Sequence, residues 1–208
     1  MQPADWGHLP NFYDPMSTEN VTSTMCQALE RQPLTLLDQP IDRFEGGGLY
    51  AIYYRGTRLR LYEPLRSYEI PIYVGQGRSE TRTGSAAERK YPLYTRVFGN
   101  HRRSLTDTDM VSEFVVRLLL TPNVHANLGE NGLRVFYQPV WNTVLDGFGS
   151  NEQGPSTRKS GRSKWDTVHP GRQRSYGADT HDRVQLETEV ASHIQDQIAR
   201  YNDAPWRL

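Results

Sequence analysis

One set of side chains in this sequence could together hydrolyse a phosphodiester. Tyr50, Tyr73, Arg96, His101, Glu130 and Asn142 supply two phenols, a guanidinium, an imidazole, a carboxylate and an amide. Such a hydrolysis needs a base for water, neutralisation of charge on the phosphorus oxygens and help for the leaving alkoxide. Tyr50 is the candidate base. A phenol with a pKa near ~10 ionises poorly at neutral pH, so it needs a partner to take its proton, and His101 is that candidate. Tyr73 would orient the water or the phosphate. Arg96 offers a fixed fork suited to the non-bridging oxygens. Glu130 would hold one divalent ion, for which magnesium is the best match, because an oxygen-only site that keeps water suits a hard cation. Asn142 would brace the site by hydrogen bonds. Taken singly, each has a structural reading: strand tyrosines are commonly amphipathic sheet residues, and Glu130 between glycines resembles a solvated helix charge.

The elements that must carry these groups follow from pattern. Val21, Met25, Ala28 and Leu29 recur at helical spacing, with Ser17 or Thr18 as cap and Pro33 as stop, predicting a helix from about Ser17 to Arg31. After Glu45-Gly46-Gly47-Gly48, the run Leu49 to Tyr54 reads as a strand bearing Tyr50. Ile70 to Gly75 reads as the next strand, bearing Tyr73, with Pro71 placing it near an edge or at its start. Arg58 to Tyr68 reads as an inserted loop or an extra strand pair. A helix from Lys90 to about Leu105, interrupted by Gly99, would carry Arg96 and His101; Glu113 to Leu120 is a strand; Asn123 to Tyr137 is a helix carrying Glu130 and ended by Pro139. From Asp146 to Tyr176 the composition is Gly, Ser, Pro, Lys and Arg, which reads as a basic arm rather than core. A last helix, about Asp182 to Tyr201, aligns Leu186, Val190, Ile194, Ile198 and Tyr201 on one stripe. The expected class is α+β: a small mixed sheet flanked by helices, with an N-terminal helical extension over 1–43, a core over 44–145, and a basic arm with a C-terminal helix over 146–208.

Gly48-Leu49-Tyr50 and Tyr73-Val74-Gly75 resemble the paired half-motifs of the GIY-YIG nucleases, each on a strand and in the family's order. Leu93-Tyr94-Thr95-Arg96 with His101-Arg102-Arg103-Ser104-Leu105, then Glu130, then Tyr137 to Asn142, are similar to the family's Arg/His helix, metal-binding Glu and closing Asn. Asp146-Gly147-Phe148-Gly149, Trp165-Asp166 and His169-Pro170-Gly171-Arg172 resemble a type II restriction endonuclease branch whose members cut CCGCGG. The resemblance implies a magnesium-dependent, site-specific deoxyribonuclease acting on double-stranded DNA, one divalent ion per site, in a bacterial cytoplasm. Two departures stand out. The family's Arg and His usually lie four apart, whereas Arg96 and His101 lie five apart and would diverge by about 140° on an ideal helix. Either a bulge at Gly99 swings His101 back, or Asn100 takes the histidine's place; the run after His101 favours His101. Gln76 also stands where relatives can carry Lys.

The chain has 208 residues and 36% hydrophobic content, enough for one domain with additions and a real core. Its single cysteine, Cys26, excludes an intrachain disulfide and a cysteine metal cluster. No run reaches membrane-spanning length, and the N-terminal residues lack a secretory layout. Net charge is zero, yet basic residues cluster between Arg55 and Arg103 and again through Arg158, Lys159, Arg162, Lys164, Arg172 and Arg174. Screening fades charges beyond about 10 Å, so only this local sign matters to a phosphate backbone. Arg102 and Arg103 join that second stretch as candidate DNA contacts; Arg55 to Arg66 is a further candidate for reading sequence. One site per chain and a palindromic target imply a homodimer, with the apolar stripes of the terminal helices as its interface. A noncatalytic or repair-type DNA-binding protein with the same fold is the alternative.

Overall fold

The computed structural model describes residues 14, 17–78, 90–150, 161–172 and 179–204. Ser17 accepts from the Asn20 amide and starts helix α1, Thr18–Glu30. Strand β1 (Thr35–Leu36) is short; β2 spans Gly48–Tyr54 and β3 spans Pro71–Gly77. Between them the segment expected as a loop or strand pair is helical instead, a 3-10 turn at Arg60–Tyr62 leading into α2, Glu63–Tyr68. Pro64 in the first turn costs no hydrogen bond there, and buried Tyr62 and Leu65 tie the segment to the core.

Helix α3 runs through Pro92–Tyr94, a π-helical stretch Thr95–His101, and Arg102–Asp107. It is followed by β4 (Phe114–Leu120), α4 (Asn123–Tyr137) and α5 (Val140–Thr143). The sheet order is β1-β4-β2-β3, with every described strand pair antiparallel. The α+β class holds, and the described sheet runs antiparallel rather than in mixed directions. All residues of β2 are buried, which explains a run of apolar and aromatic residues without polar alternation. β3 forms one edge and Pro71 opens it, where a missing N–H is tolerated.

The stretch expected as a basic arm contributes to the core. Helix α6 (Lys164–Val168), capped by Ser163, buries Trp165 and Val168, and Phe148 is buried ahead of it. The Trp165 ring lies 5.5 Å from Trp141 and 5.1 Å from Phe148. His169 is structural: its Nδ1–H faces the Trp165 carbonyl at 3.0 Å, and its Nε2 accepts from the Tyr62 hydroxyl at 2.8 Å.

Helix α7 (Arg183–Asn202), capped by Asp182, buries Leu186, Val190, Ile194 and Tyr201 within the chain, and Gln197 donates to the Pro71 carbonyl at 2.9 Å. Cys26 and Leu29 of α1 are likewise buried. The α7 stripe is therefore consumed by the fold, which corrects the expectation of it as a dimer interface; in α1, Val21, Met25 and Ala28 remain partly exposed. No helix among the described residues is long and apolar enough to cross a membrane.

Candidate active site

Register brings the two tyrosines together. Tyr50 pairs with Gly75 and Ile52 with Tyr73, so Tyr50 and Tyr73 point from the same sheet face as diagonal neighbours, their rings 6.1 Å apart. Gly75 is required by this packing, because a Cβ there would lie 2.4 Å from the Tyr50 hydroxyl oxygen.

The π-helical stretch resolves the spacing of Arg96 and His101. With i→i+5 bonding, residues five apart stack along one face, so both side chains turn to the sheet. Gly99 is not its steric cause: a Cβ there would meet only Thr95 Cγ2, at an ordinary 3.6 Å. His101 is buried, and its Nε2 lies 2.5 Å from the Tyr50 hydroxyl. Its ring stacks on Phe148 at 4.7 Å and 15°, and meets the Tyr73 ring edge-on at 5.2 Å. Arg96 lies close enough to both phenols for its charge to lower their pKa, and it donates to the Gly149 carbonyl at 2.8 Å. The Phe148–Gly149 loop thus covers the site, a role that the sequence did not assign to it.

Electrostatics fix the resting protonation. Burial pushes His101 well below the usual imidazole range, and the Arg96 and Arg172 cations push the same way, so the ring is neutral. A neutral ring can accept the Tyr50 hydroxyl proton at Nε2 in the tautomer that keeps its own proton on Nδ1. Burial also raises Tyr50 well above an ordinary phenol, with Tyr73 adding to the rise and Arg96 opposing it. Tyr73 is raised chiefly by burial, while Arg96 lowers it.

Glu130 on α4 lies close enough for its charge to raise both phenols. Its Oε2 accepts from Gln76 Nε2 at 2.5 Å, and that amide also donates to Asn127 Oδ1 at 2.9 Å. The Gln76 Oε1 is buried and has no hydrogen-bond partner among the described residues. No group of three His, Cys, Asp or Glu side chains placed to hold a metal occurs among the described residues. The oxygens at hand, from Glu130 and the neighbouring amides, nevertheless fit a hard divalent cation that keeps water. Asn142 reads Val74 from both sides, accepting from its N–H at 2.8 Å and donating to its carbonyl at 3.0 Å. These two bonds occupy the edge of β3 between Tyr73 and Gly75.

The candidate DNA contacts divide. Arg103 is exposed and Lys164 half-buried. Arg102 donates to the Asp38 carbonyl at 3.0 Å, and Arg162 pairs with Asp179 at 2.9 Å. Arg172 is a correction. It is buried, pairs with Asp166 at 2.5 Å, and donates to the carbonyls of Phe148 at 3.2 Å and Gly147 at 3.0 Å. A guanidinium engaged this way cannot meet a phosphate; it staples the covering loop. Arg158, Lys159 and Arg174 lie outside the described residues.

The family profile of the Eco29kI GIY-YIG domain matches residues 42–201. No curated protein matched the chain.

Proposed function

The chain belongs to the Eco29kI GIY-YIG domain family, and from that premise we propose that it is a type II restriction endonuclease hydrolysing double-stranded DNA. The family makes it a nuclease of the restriction type. The finer reading is cleavage at CCGCGG by a tyrosine base and one Mg2+ ion, in a homodimer acting in the cytoplasm.

The observation that carries this reading is the buried hydrogen bond from Tyr50 to a neutral His101. Burial makes free tyrosinate an unfavourable reactant, so the base works as a relay. Tyr50 takes a proton from the attacking water while its own proton passes to His101 Nε2. A DNA phosphate beside Arg96 would offset the cation that disfavours imidazolium, raising the proton affinity of His101 when it is needed. Arg96 has donors to spare beyond the one held by Gly149, and these would meet the non-bridging oxygens. Tyr73 orients the water. Glu130 would hold Mg2+, which supplies neutralisation of charge on the phosphate and the leaving oxygen. Arg103 and Lys164 would contact the DNA backbone, with Arg158, Lys159 and Arg174 as further candidates. One site cuts one strand, so a cut through a palindrome requires two subunits related by the DNA's own symmetry.

The test is digestion of a plasmid of known sequence, with and without Mg2+, followed by mapping of the ends. Cuts at CCGCGG that require the ion, and that disappear in Glu130→Gln, are expected. Ends at another sequence would remove CCGCGG alone, and absence of any ion-dependent cleavage would reject the nuclease.

A further inference from the structure

Gln76 holds a place that the mechanism above does not use. It follows Gly75 on β3 and pairs across the sheet with Leu49, beside Tyr50. Asn127 and Glu130 lie three apart on α4, so both face it. The Gln76 Nε2 serves two acceptors there, Glu130 Oε2 at 2.5 Å and Asn127 Oδ1 at 2.9 Å. Its Oε1, at the other end, is buried with no partner among the described residues. No hydrogen bond anchors that end, so the orientation of the amide is decided at the Glu130 end alone.

The terminal torsion of Gln has roughly two-fold preference, and a half-turn exchanges Oε1 with Nε2. The place now held by Nε2 would then carry an oxygen close to two others. Three oxygens at such spacing repel unless a cation lies among them. Ligands at about 2.0–2.1 Å in an octahedral Mg2+ site sit about 3 Å from one another, close to the separations already present. We infer that Gln76 is a second protein ligand to the divalent ion at Glu130. Its amide hydrogen-bonds the carboxylate when no ion is present and turns its oxygen toward the ion when one binds. The inference rests on the reading of Glu130 as metal-binding.

Isothermal titration of the full chain with Mg2+ and Ni2+, without DNA, tests it. Gln76→Leu is expected to weaken Mg2+ binding by about tenfold or more. Gln76→His places a nitrogen at a similar reach and is expected to shift the Ni2+/Mg2+ preference by at least about tenfold toward Ni2+, since imidazole suits nickel better than magnesium. A group acting only on the carboxylate would leave that ratio unchanged. Wild-type affinity in Gln76→Leu together with an unaltered ratio in Gln76→His, while Glu130→Gln loses the ion, would overturn the role of Gln76 and spare that of Glu130. Ion binding unaffected by Glu130→Gln would overturn both.

Discussion

The Tyr50 hydroxyl and the His101 Nε2 lie 2.5 Å apart in the buried interior, although the two residues are 51 positions apart in the chain. With the His101 ring proton on Nδ1, the Tyr50 hydroxyl donates to Nε2, and the bond is set to pass a proton from Tyr50 to His101. Tyr50→Phe keeps the ring that packs over Gly75 and removes only the oxygen. Its cleavage rate is expected to fall by at least about 10²–10⁴-fold, the span of general base catalysis, with DNA affinity retained. Single-turnover cleavage and a binding titration measure the two separately; a variant that still cuts at the wild-type rate removes Tyr50 from the chemistry.

Contact between these two residues depends on the π-helical stretch, which sets His101 rather than Asn100 over the sheet. Exchanging them, Asn100→His with His101→Asn, preserves composition and puts the imidazole at the family's usual spacing from Arg96. The double variant is expected to stay at least about 100-fold slower in single-turnover cleavage, because its imidazole turns away from Tyr50. Recovery of activity would mean that the helix rewinds to α geometry at no cost.

Much of this arrangement was legible in the sequence because it lies on regular elements. α4 begins and ends at the expected residues, Asn123 and Tyr137, since periodicity and Pro139 bound it. Short apolar runs put Tyr50 and Tyr73 on successive strands, although the register that makes them diagonal neighbours is a tertiary fact. Two features were not legible. The helix at Glu63–Tyr68 lacks a long amphipathic repeat and is held by what Tyr62 and Leu65 bury. The stretch from Asp146 to Tyr176 reads as an arm because its composition is polar, yet among its described residues a few aromatic side chains and one internal ion pair are anchored in the core. Composition averages over a segment, whereas Trp165, Phe148 and Arg172 act as single anchors.

The Arg172–Asp166 pair gives that correction a measurable form. Both side chains are almost fully buried, 1% and 3% exposed, so removal of one charge strands the other. Arg172→Met keeps the apolar stem and removes the guanidinium from Asp166 and from the carbonyls of Gly147 and Phe148. Stability is expected to drop by about 3–5 kcal/mol, read from urea unfolding. A variant as stable as the wild type but weakened in DNA binding would return Arg172 to the DNA surface.

Acid should destabilise the fold through its buried imidazoles. Burial pushes His169 down to about 3, against a weaker opposing effect of its bond to the Trp165 carbonyl, and His101 is also lowered well below its ordinary value. In the unfolded chain both titrate near ~6.5. Below that pH, and down to the folded value, the unfolded state binds the extra proton. Stability is therefore fully present above ~6.5 and falls on acidification by up to about 1.4 kcal/mol per pH unit for each histidine. His169→Gln removes one of these protons, at the cost of its bonds to Tyr62 and Trp165. The variant is expected to be less stable at neutral pH but to lose less between pH ~6 and ~5, its slope flatter by up to about 1.4 kcal/mol per unit. Urea midpoints at stepped pH measure both slopes, and parallel lines would show that the folded protein already takes up the proton at His169.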